Sequence, residues 1–170
     1  MAVQNYKTNY DSDAGAAYDA LGPMSAFGVT PKRMQSPTAS ILAADDDGST
    51  YILFKSLPKE AVFADMGIEH SAITNGTDYD IGLYNALTGV VIDKDCLADG
   101  LDLSSAATKN APKDGLKDVT HANTRKALWE LSGLSYAACP ALVDVVLTAN
   151  TVGTAAGSVT ARASLIPGGA

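Results

Sequence analysis

Residues 49–87 read STYILFKSLPKEAVFADMGIEHSAITNGTDYDIGLYNAL, and their apolar positions recur with a period of two. Successive side chains of a strand point to opposite faces, so this spacing builds a sheet and not an amphipathic helix. Three strands in a row are predicted. Residues 50–57 are almost wholly apolar. Beyond a Pro58-Lys59-Glu60 corner, Val62, Ala64, Met66 and Ile68 are expected on one face, with Asp65 and Glu69 on the other. Asn75-Gly76 suits a type I′ hairpin turn, because both residues take positive φ cheaply. After it, Tyr79, Ile81 and Leu83 share a face.

The flanks extend the pattern. Residues 32–44 are a further strand candidate, with Pro37 at its start or at a sheet edge, since proline cannot donate to a ladder. Asp45-Asp46-Asp47-Gly48 reads as a hairpin turn into the next strand. Residues 90–92 allow a short strand, and the punctuation from there to about residue 119 reads as a long loop. One helix is expected over 121–131, capped by Asn123 or Thr124 and stopped at Gly133. Ala127, Leu128 and Leu131 form its apolar stripe, and Trp129 on the flank reads as core. Residues 142–149 and 158–166 alternate cleanly and are expected to pair as an antiparallel hairpin. Six or seven strands, one short helix and no βαβ alternation give a mainly β chain: an antiparallel β-sandwich or a jelly-roll-like barrel.

Residues 1–30 differ in composition. They sustain neither period, yet they hold Tyr6, Tyr10, Tyr18 and Phe27. Disordered tails are poor in aromatics. The expectation is an extended N-terminal arm that orders by lying on its own domain, a neighbouring subunit or another protein, ahead of a β-sandwich domain over 31–170. Tyr6, Lys7, Tyr10, Tyr18 and Phe27 are the candidate contact residues.

Charge excludes several functions. Charged residues make up 18% of the chain and the net charge is −7, against about 25% charged in an average soluble domain. Lys32-Arg33 is the largest basic cluster, too small to displace counterions from phosphate, so neither nucleic acid nor an anionic membrane is an expected partner. No apolar run approaches the roughly 20 residues of a membrane span. The N-terminus has no apolar signal core, and synthesis in a cytoplasm without export is expected. Cys96 and Cys139 are too few for a disulfide framework and are expected to be free thiols.

Catalytic patterns are lacking. Neither His70 nor His121 sits in a nucleophile motif. The acid pairs Asp11/Asp13, Asp45/Asp47, Asp78/Asp80 and Asp93/Asp95 could in principle share a cation, but the EF-hand spacing fails around Asp45-Asp46-Asp47-Gly48, where Ala43 stands at the first loop position and Phe54 where the bidentate Glu belongs. Turn-forming acids are the simpler reading. No enzyme, cofactor or metal is expected.

Two segments carry a resemblance. ILFKSLPKEAVF is followed by DYDIGLYNALTGVVIDKDCLADGLDLSS, and RKALWELSGL precedes the closing strand pair. Together they resemble small virion structural proteins of tailed bacteriophages, in particular head decoration (cement) proteins. The shared features are a Leu-Pro corner, an Asp-x-Gly-Leu strand, an acidic loop, a Leu-Trp-Glu helix and an Ala/Gly/Thr-rich ending. The resemblance implies a β-sandwich, commonly a homotrimer, that binds the major capsid protein on the outer surface of the capsid. It supplies no active-site motif to carry over. A minor head or tail protein, or a carbohydrate-binding adhesin module, are the alternative expectations.

Overall fold

The computed structural model describes residues 32–109 and 114–166. The expected arm, with Tyr6, Lys7, Tyr10, Tyr18 and Phe27, lies outside the described residues. Nine strands are described: β1 (Lys32–Gln35), β2 (Ala39–Ile41), β3 (Thr50–Pro58), β4 (Val62–His70), β5 (Asp78–Asn85), β6 (Val91–Leu101), β7 (Ala107–Lys109), β8 (Leu142–Thr151) and β9 (Gly157–Ile166). One α-helix, α1 (Leu128–Leu131), stands among short 3-10 turns.

The strands form two antiparallel sheets. One runs β1-β9-β4-β7, with β2 also on β9; the other runs β3-β8-β5-β6. The pairings are nested along the chain. β5 pairs β6 at the tip, β4 pairs β7, β3 pairs β8, and β1 and β2 pair β9. A long hairpin has been rolled up, and the pairings β4–β9 and β5–β8 close it into two sheets. That is the double-sheet jelly roll.

This wrap corrects the expected hairpins. β3, β4 and β5 follow one another in sequence, but β4 belongs to the opposite sheet from its two neighbours. β8 and β9 are likewise split between sheets. The acidic turn carries the chain from β2 in one sheet to β3 in the other. Asn75 alone is left-handed (φ 62) in a turn closed by the Gly76 N–H donating to Ile73 O, so this is not a type I′ hairpin.

The core lies between the sheets. Tyr79, Ile81 and Leu83 of β5, Val143, Val145 and Leu147 of β8, and Val159, Ala161, Ala163 and Leu165 of β9 are all buried there, as their alternation predicts. In β4 the expected faces hold from Met66 onward, where Met66 and Ile68 are buried and Glu69 is exposed, and fail at its start. There Phe63 is buried while Ala64 is exposed. A register shift between Phe63 and Asp65 places an extra residue in the strand, and one extra residue inverts the period-two assignment.

The helix is also shorter than its stripe suggests. A 3-10 turn covers His121–Asn123, and α1 makes a single turn after Ala127. Glu130 accepts the Ala127 N–H at 2.9 Å, and Gly133 (φ 69) ends the helix as expected. Leu128 is fully buried. Among the described residues no helix is long and apolar enough to cross a membrane.

Candidate functional site

Strand pairing defines one end of the barrel. Pro58 pairs with Leu142, Asn85 with Val143, Tyr84 with Val91, Val62 with Ile166, and Lys32 with Leu165. This end therefore gathers the Lys59-Glu60 corner, the β5–β6 turn and the segment between α1 and β8.

The corner and that segment are locked together. Lys59, only 8% exposed, donates from Nζ to Cys139 O at 3.2 Å and to Tyr136 O, and its ammonium lies 3.7 Å from the Tyr136 ring centre. Tyr136 donates its hydroxyl to Glu60 at 2.7 Å and meets Trp129 edge-on at 5.6 Å. The Leu128 and Trp129 N–H groups donate to Ala61 O and Lys59 O. These bonds make the Leu-Pro corner and the Leu-Trp-Glu helix one rigid platform. Trp129 is half-buried against the core, as expected.

On this platform stands a set of exposed apolar side chains. Leu87 is 93% exposed, Val90 62%, Val91 50% and Leu142 45%, and Leu134 and Tyr136, in the segment between α1 and β8, are exposed as well. Of the large apolar residues exposed among the described residues, only Leu42 lies at the other end. A groove of about 370 Å³ runs between Ser56, Asn85, Leu87, Pro140 and Leu142. Asn85 fixes the turn by accepting the Leu87 and Thr88 N–H groups on Oδ1. Single exposed apolar residues are ordinary, but a contiguous group marks an interaction surface. The sequence held one signal for it: LTGVV puts a leucine and two valines around a turn, where polar residues are the norm.

Asp11 and Asp13 lie outside the described residues, and the other acid pairs are held by hydrogen bonds within the fold. Asp45 is buried and accepts the Leu42 N–H at 2.9 Å and the Tyr51 hydroxyl at 2.7 Å; Asp47 accepts the Val152 N–H at 2.9 Å. Asp80, Asp95 and Asp99 come together with one carboxylate oxygen each within 4.8 Å of the others. Burial raises Asp80, but the Gly100 N–H, the Asn150 amide and Lys94 outweigh it and hold that carboxyl below its ordinary value. Asp95 is raised by its bond with Asp93 and by burial, and Asp99 by the charge of Asp80. Lys94 Nζ, 3.3 Å from Asp80, and the Asn150 amide, 2.6 Å away, already supply cationic and donor partners. The cluster would suit a hard cation only by displacing them.

His70 is buried at the end of β4, with Nδ1 3.1 Å from Ser71 O. Cys96 and Cys139 are free, and burial pushes both thiols up, away from reactive thiolate.

Compared with family models and with curated proteins, the chain gives no match. Among solved structures it is similar to a chain in one titled "Capsid of Ralstonia phage GP4", with a TM-score of 0.58 at 12% identity, over 97% of this chain and 99% of that one. At that identity the likeness is one of fold.

Proposed function

We propose that this chain is a non-enzymatic structural protein of a bacteriophage virion, a decoration (cement) protein that binds the major capsid protein on the outer face of the head and stabilises it. The observation that carries the reading is the whole-length sharing of fold with a chain from the Ralstonia phage GP4 capsid. Three features support it. The surface is sparsely charged, and an acidic chain suits the outside of a shell better than contact with packaged DNA. The exposed apolar end provides an interaction surface. The buried thiols and hydrogen-bonded acids described above read as scaffold rather than chemistry.

In this reading residues 1–30 form a contact arm through Tyr6, Lys7, Tyr10, Tyr18 and Phe27, and the protein is a homotrimer. Many copies on one lattice make weak contacts effective through avidity. The test is addition of the purified chain to phage heads that lack it. Saturable binding at the copy number of the shell lattice, with greater resistance of the heads to heat, is expected. Absence of binding at high concentration overturns the reading, and a copy number limited to one vertex or a tail points to a minor head or tail component.

A further inference from the structure

We propose that the apolar end of the barrel receives the N-terminal segment, residues 1–31, of a second copy of this chain. The inference deepens the capsid reading by naming a subunit contact, and its test needs no capsid.

Position is the first argument. The described chain begins at Lys32, which pairs with Leu165 at the same end as the groove. The preceding 31 residues therefore start there. Extended at about 3.3 Å per residue they reach up to about 100 Å, far enough for a neighbour. Lys32 lies on the edge strand β1, and the adjoining β2 packs against β3. Leu87, Val90 and Val91 sit at the turn between β5 and β6, at the opposite edge of the β3-β8-β5-β6 sheet. From that turn the groove runs back past Leu142 of β8 to Ser56 of β3. An arm that leaves the β1 edge of one copy and enters the groove of the next from the Leu87 side makes a head-to-tail contact, the kind that closes into rings.

Chemistry is the second argument. The segment carries Tyr6, Tyr10, Tyr18 and Phe27, and its charged side chains are Lys7, Asp11, Asp13 and Asp19, net acidic. Aromatic side chains bring large apolar area at low conformational cost. The receiving end offers apolar Leu87, Val90 and Leu142, with the exposed bases Arg125 and Lys126 just ahead of α1.

The experiment is sedimentation of the full-length chain over a concentration series. The wild type is compared with Leu87→Glu, with Tyr6→Ser/Tyr10→Ser/Tyr18→Ser, and with the combination. The expected result is reversible self-association, weakened at least about tenfold by either change, as for residues central to an interface. The combination should cost no more than the worse of the two, because both remove one contact. Leu87 is 93% exposed, so Leu87→Glu should keep the circular dichroism of the wild type, and Leu87→Met should keep association. Three results overturn the proposal: a monomer at every concentration, association untouched by Leu87→Glu, or losses that multiply in the combination. A monomer whose residues 1–31 are protected from hydrogen exchange would mean docking within one chain. A monomer protected only on heads would mean docking on the shell protein.

Discussion

Gly82 sits in the middle of β5 for want of space rather than for backbone freedom. A Cβ there would lie 2.1 Å from Asp93 O and 2.3 Å from the Lys94 carbonyl carbon. The obstacle is backbone that cannot swing aside, so Gly82→Ala should cost about 3 kcal/mol, the upper part of the overpacking range, in chemical denaturation. Tyr51 is 1% exposed and donates to the buried Asp45. Tyr51→Phe removes a bond to a charged acceptor and should cost about 1.5–3 kcal/mol, measured the same way. Asp144 is fully buried on β8; its Oδ1 accepts the Ser56 N–H at 2.7 Å, and its Oδ2 has no partner among the described residues. Burial outweighs that bond and the nearby Lys55, so the carboxyl is raised. An acid raised on folding binds its proton more tightly in the native state. Its contribution to stability is therefore present below the ordinary carboxylate value and falls as pH rises through the raised one. Asp144→Asn keeps the Ser56 acceptor and removes this slope. Denaturation midpoints of the variant relative to wild type should improve as pH rises through that window, and a constant difference would refute the assignment.

At the scale of elements, the least legible was β6. It was expected as a short strand followed by loop, and it runs over Val91–Leu101. Its pairing with β5 jumps from Leu83↔Asp93 to Ile81↔Ala98, so no alternation survives in the sequence. The intervening residues fold back over Gly82, which is why a glycine is needed opposite them. β1 and β2 were legible as one edge strand, with Pro37 marking the edge, and both lie on β9. Ser36 bridges the break: its N–H donates to Ala161 O and its Oγ accepts the Ala161 N–H, each at 2.8 Å. Ala161 is fully buried, so Ser36→Ala leaves an amide unsatisfied and should cost about 1–3 kcal/mol, visible as faster hydrogen exchange along β9. The helix is shorter than its sequence suggests because Ala127, Leu128 and Leu131 satisfy a helical stripe while only one turn of it forms.

For the whole molecule, the nested wrap makes the first and last strands partners, so the jelly roll closes without residues 1–31 contributing to its described pairings. Deleting residues 2–25 should therefore leave a cooperative thermal transition close to that of the wild type. Head binding by the deleted chain should fall sharply, because an ordered arm costs about 1–2 kcal/mol per residue and offsets it only through the apolar groups it buries. Undiminished binding would assign the contact to the barrel instead. By itself the sequence determined the strand-rich class, most inward faces and the edge proline, because period and proline chemistry are local properties. Only the tertiary structure decided which strands pair, where Phe63 and Ala64 point, that Asp80 meets Asp95 and Asp99, and that Leu87, Val91 and Leu142 share one end. Pairing across the barrel joins residues more than a hundred positions apart, such as Lys32 and Leu165. A bulge of one residue then inverts faces, and neither event leaves a period to read.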